Sequence, residues 1–103
     1  MKTFRQFLIE MDELEFFVRM MEKASDMRPP PRVDAYYDGT QHYGIGMGNV
    51  RTNTSGDVYI DYMSWSNDNT LVPATLCIHR EDIEGFTIEK DVEGKPTLVY
   101  HKP

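Results

Sequence analysis

The sequence predicts an α+β fold: an N-terminal helix, kinked or split near Asp12, followed by a five- to six-stranded antiparallel curved sheet or small barrel. Three observations carry this prediction. Apolar residues recur at helical spacing up to Ala24, the run Pro29, Pro30, Pro31 then breaks the chain, and beyond it the apolar pattern alternates residue by residue. The chain therefore reads as a single domain, with a helical segment over 1–28, a proline-rich hinge over 29–32 and a β body over 33–103. Its 103 residues suffice for one modest core, with no room for a second catalytic domain. With 40% hydrophobic and 27% charged residues, the composition is that of a folding chain.

Thr3 and Gln6 form a capping-box pattern that starts the helix at Phe4. Phe4, Phe7, Leu8, Met11, Leu14, Val18 and Met21 then lie along one stripe. Ile9, Phe16, Phe17, Met20 and Ala24 widen the stripe beyond what one surface helix usually hides. Two arrangements would accommodate them. Asp12 with Glu15 repeats the capping pattern, so two short helices could meet there and each turn its own side inward. Alternatively one helix packs on its own domain with one side and on another chain with the other, which predicts self-association, as a homodimer, through Phe16, Phe17 and Met20. Acidic Asp12, Glu13 and Glu15 ahead of basic Arg19 and Lys23 complement the helix dipole.

In the β body, Val33 to Tyr37 is a strand leading to Asp38 and Gly39, a pair favoured in tight hairpins. A second strand runs from about Gln41 to Arg51, and a turn at Asn53 to Gly56 precedes a strand over Asp57 to Trp65. There Val58, Ile60 and Tyr62 face one way and Tyr59, Asp61, Met63 and Trp65 the other. Ser66 to Thr70 breaks the chain, and Leu71 to His79 resumes it with Val72, Ala74, Leu76 and Ile78 on one face. Pro73 marks an edge strand or bulge, because a central strand needs that amide. Arg80 to Gly85 reads as a turn of helix that tucks Ile83 under the sheet, and Phe86 to Lys90 pairs with Pro96 to His101 across Glu93 and Gly94.

Gly44, Gly46 and Gly48 invite comparison with a dinucleotide-binding loop, but no helix follows to receive a phosphate. Strand alternation explains the spacing better. The glycines share one face, letting the strand bend or letting a bulky group lie on the backbone, while Tyr43, Ile45 and Met47 point into the core. The N-terminal helix, Tyr59, Trp65 or a partner would fill the bare face.

No catalytic pattern emerges, and no cofactor or metal is expected. His42, His79 and His101 are widely separated, and Cys77 with His79 supplies too few ligands for zinc. Asp38 is explained by turn chemistry, Asp57 and Asp61 by solvent-side strand positions. The net charge of −6 opposes direct nucleic-acid binding and suits a basic or nucleic-acid-binding protein partner, while also serving solubility. One cysteine excludes an intramolecular disulfide. With no signal-peptide pattern and no run of 18 apolar residues, the expected location is the cytoplasm, with no membrane contact.

The aromatic set is the main functional pointer. Tyr36, Tyr37, Tyr43, Tyr59, Tyr62 and Trp65 exceed what a small core takes in, and Tyr and Trp are the usual anchors of protein contacts. The expected binding surface comprises Tyr36, Tyr37, Tyr43, Gly44, Gly46, Gly48, Tyr59 and Trp65.

Two resemblances add to this reading. The order of elements over residues 33–101, with "LCIHREDIEGFTIEK" matching the family's turn at Ile78, Asp82, Ile83 and Ile88, resembles an Sm-like small β-barrel. That resemblance implies the fold; the family's RNA site is not implied, because this chain is acidic and lacks a basic loop cluster. The opening "MKTFRQFLIE" is similar to small accessory proteins of tailed bacteriophages, several of which inhibit host proteins. The expected function is thus a non-catalytic protein-binding module, a phage-encoded inhibitor or modulator of a host protein. The alternative is an Sm-like barrel that binds a small ligand or nucleotide, its flat ring lying over the glycine face.

Overall fold

A computed structural model describes residues 4–102, with side chains from residue 13 onward. The capping side chains of Thr3 and Gln6, and those of Phe4, Phe7, Leu8, Ile9 and Met11, lie outside the described residues. Helix α1, Phe4–Ser25, runs without a break at Asp12. Its apolar stripe divides in two. Phe17, Met21 and Ala24 are buried, with Leu14 and Val18 packed beside them, whereas Phe16 and Met20 face solvent. The helix stops where Asp26 bonds back to the carbonyls of Glu22 and Lys23, just before the prolines prevent another turn.

Seven strands follow: β1 Arg32–Tyr37, β2 Thr40–Ile45, β3 Val50–Thr52, β4 Val58–Trp65, β5 Leu71–Ile78, β6 Phe86–Lys90 and β7 Pro96–Tyr100. The 3-10 turn Arg80–Gly85 leads into β6 and buries Ile83, as the sequence predicts. The expected hairpins form. Asp38 and Gly39 both take positive φ, the conformation of a two-residue I′ turn. Asn53 Oδ1 accepts the Ser55 and Asp57 amides, and Asp91 Oδ1 those of Glu93 and Lys95.

The strands make one curled sheet, a half-barrel, in which β4 pairs on one edge with β5 and on the other with both β3 and β2, followed by β1, β7 and β6. All pairings are antiparallel except one. β7 joins β1 in parallel at Arg32↔Thr97 and Val33↔Leu98, so the sheet is mixed. Pro73 sits on β5, which pairs only with β4, so its missing amide costs the ladder nothing.

The concave side carries Val33, Ala35 and Tyr37 from β1, Val58, Ile60 and Tyr62 from β4, and Leu76 and Ile78 from β5, all buried. The helix closes this side through Phe17 and Met21. Val72, expected on the same face, is exposed, because the β4–β5 hairpin runs past the helix toward its tip at Ser66 to Thr70.

The strand expected from Gln41 to Arg51 is interrupted. Gly44 pairs with Ser64 and Ile45 with Met63, but Val50 pairs with Ile60, so four residues, Gly46 to Asn49, oppose two on β4. This double bulge is pinned by the Gly48 amide on the Asp61 carbonyl (2.7 Å) and the Met47 amide on the Pro31 carbonyl (3.2 Å).

Candidate functional site

Strand register decides which side chains face solvent. Directly opposed residues in an antiparallel pair share a face. Val33 is buried and opposes Gly44, so Gly44 and His42 point inward, while Tyr43 opposes Asp34 on the convex side. This reverses the expected placement of Tyr43 and Ile45 in the core. Only Met47 reaches it, because Gly46 adopts φ +70 and turns the next side chain inward.

The glycines therefore do not form one bare face. Above Gly44 there is no free space: a Cβ built there would lie 2.0 Å from the Met63 carbonyl oxygen, so β4's own backbone fills the gap. With that backbone in place, no ring has room to lie on Gly44. Gly46 and Gly48 belong to the bulge.

The convex face gathers three of the expected aromatics. Tyr36 is 65% exposed, Tyr43 52% and Trp65 39%. Trp65 opposes Leu71, and the Gly44↔Ser64 register puts Tyr43 alongside Trp65, with the Ser64 hydroxyl donating to the Tyr43 carbonyl at 3.3 Å. Ile45, Met63 and Pro73 form the neighbouring row. The result is an apolar strip across β1, β2, β4 and β5 whose polar members are Asp34 and Gln41, bonded to each other at 2.8 Å.

Tyr59 shares the convex face but stands six residues along β4 from Trp65, about 20 Å away. It is held separately, with the Arg51 guanidinium 5.9 Å from its ring and Asn53 donating to its hydroxyl at 3.1 Å. Between the two sites Asp61 accepts from Arg51 (2.8 Å) and from Thr75 (2.7 Å), a polar divider.

Two expected surface residues belong to the core instead. Tyr37 is 4% exposed and stacks edge-on against Phe86 and Tyr100, at 4.9 and 4.8 Å between ring centres. It shares the inward face of β1 with buried Val33 and Ala35. Phe17 likewise lies on the buried stripe of α1, so of the expected self-association residues only Phe16 and Met20 remain available.

Of the histidines, His42 meets the Tyr62 hydroxyl at 2.8 Å on the concave side, where burial holds its pKa below the ordinary value. His79 lies 3.5 Å from Asp38, and His101 2.5 Å from Glu89. Each histidine has a different neighbour, and among the described residues no three His, Cys, Asp or Glu side chains converge on one point. No helix is long and apolar enough to cross a membrane among the described residues. No family model, curated protein or solved structure matches the chain.

Sequence reasoning placed Met63 on the face of Trp65 but missed Leu71 and Ile45 as members of the convex strip. Their signal is register, which appears only once Ile45 is known to oppose Met63.

Proposed function

We propose that this chain is a non-catalytic protein-binding module that engages a basic partner through the convex strip of Tyr36, Tyr43, Trp65 and Leu71. The observation that carries the reading is the exposure of three large aromatic side chains on one face of a rigid sheet. Such side chains bury much area on contact while freezing few torsions, which makes them effective anchors. Asp34 within the strip and Asp68 at the hairpin tip supply the acidic surroundings, and the net charge of −6 favours approach to a positive surface. The Ser66 and Thr70 hydroxyls bonded to Asp68 hold its carboxyl below the usual carboxylate range, so it stays ionised.

A partner whose basic surface normally binds nucleic acid fits this chemistry, and occupying that surface would make the chain an inhibitor or modulator. The phage-accessory likeness of residues 1–10 suggests such a role. Affinity capture with the full chain, alongside Trp65→Ala and Tyr43→Ala variants, tests the reading. A protein retained by the parent chain and lost by both variants supports it. Equal retention by all three refutes it.

A further inference from the structure

We propose that a second copy of this chain docks antiparallel along the solvent side of α1, forming a two-fold dimer whose axis lies at the height of Val18 along the helix. Phe16 is 65% exposed and Met20 37%, and they lie beside a groove of about 190 Å³ between the helix and the 3-10 turn. Ile83 and Phe86 line that groove, and Glu13 and Glu84 stand at its acidic rim.

The charges along the helix select the occupant. Glu13, Phe16, Met20 and Lys23 follow each other at spacings of three, four and three, the seam of a helix pair. Phe16 and Met20 stand two residues either side of Val18, and Glu13 and Lys23 five residues either side. A half-turn about an axis running between the two helices at the level of Val18 therefore lays Phe16 on the partner's Met20 and Glu13 on the partner's Lys23, with both contacts occurring twice. Glu84 reinforces the acidic end that receives the partner's Lys23. The surface is complementary to itself: an apolar centre flanked at one end by acid and at the other by base. Parallel docking would set like charges against each other.

This face is separate from the convex strip, so the dimer and the partner-binding reading stand or fall independently. Sedimentation equilibrium on the full chain tests it with surface substitutions, circular dichroism confirming the fold of each. The parent chain is expected to dimerise. Glu13→Lys and Lys23→Glu should each raise the dissociation constant roughly tenfold or more, since each replaces two attractive pairs by two repulsive ones. The double variant Glu13→Lys with Lys23→Glu should bind more tightly than either single variant but short of the parent, because Glu84 then faces the partner's new acidic residue; an equimolar mixture of the two single variants should form heterodimers, and Phe16→Ser should be monomeric. A parent chain that stays monomeric at every concentration overturns the proposal, even if the groove takes another protein. So does a dimer indifferent to these changes, or a double variant that binds no more tightly than the single variants.

Discussion

The Tyr37 hydroxyl donates to Asp82 Oδ2 at 2.6 Å and accepts the His79 amide at 3.0 Å, tying β1 to the 3-10 turn that carries the chain into β6. The bond joins segments 45 residues apart in sequence, linking β1 to the turn that precedes β6. Burial is the main cause that raises this hydroxyl's pKa, and the Asp82 carboxylate adds to it.

Tyr37→Phe should cost about 1–3 kcal/mol, because it leaves the Asp82 carboxylate and the His79 amide without their partner. Urea unfolding measures this. The hydroxyl ionises near pH 10 in the unfolded chain but stays neutral in the fold, so the folded state holds more protons above that pH. Its contribution is whole below about pH 10 and is lost as pH rises further. Tyr37→Phe should therefore flatten the alkaline decline by up to about 1.4 kcal/mol per pH unit.

His42 gives the opposite limb. Its lowered pKa means the unfolded chain takes up a proton, below about pH 6.5, that the folded chain does not. Its share of stability is present above that pH and falls on acidification. The His42 imidazole, followed by NMR, should titrate below the ordinary histidine value. Titration at or above that value contradicts its placement against Tyr62.

Gly44→Ala should prevent folding or cost more than about 4 kcal/mol, because the new methyl group meets β4 backbone that has nowhere to go. Gly94→Ala serves as the control. It has open space around it and only a left-handed φ of 78, so its cost should be about 1–2 kcal/mol. Similar losses at both positions would contradict the close approach of β2 and β4.

The two sides of α1 should differ as sharply. Phe17→Ala removes a core ring and should cost about 3–5 kcal/mol, whereas Phe16→Ala in dilute protein should stay within about 0.5 kcal/mol. Thermal unfolding of both variants checks this, and equal losses would contradict the divided stripe.

Local signals in the sequence proved reliable because their causes are local. Asp38 with Gly39, Asn53 to Gly56 and Ile83 in its short turn were all legible, since each depends on neighbours a few residues away. The alternation in β4 was legible too, with Val58, Ile60 and Tyr62 inside. The glycine segment was not. Period-two reading from Tyr43 to Met47 presumes unbroken pairing, but the double bulge at Gly46 to Asn49 shifts the phase, and glycine takes positive φ without any mark in the pattern. The parallel join of β1 to β7 is a contact between distant segments that no local rule foretells.

For the candidate site, the exposure of Tyr36 and Trp65 was legible by residue type, whereas Tyr43, read both as core-facing and as part of the binding surface, is exposed. Tyr37 was misplaced because residue type does not tell adjacent tyrosines apart; alternation does, since Tyr37 shares the face of Val33 and Ala35 and Tyr36 that of Asp34.

Trp65 is the chain's single tryptophan, so its emission reports on the convex strip directly. Titrating the full chain with the protein retained in the capture experiment should shift that emission to the blue as the indole leaves water, and Tyr43→Ala should weaken the binding it reports by roughly tenfold or more. Emission that does not change on binding, or an affinity untouched by Tyr43→Ala, would contradict the convex strip as the docking surface.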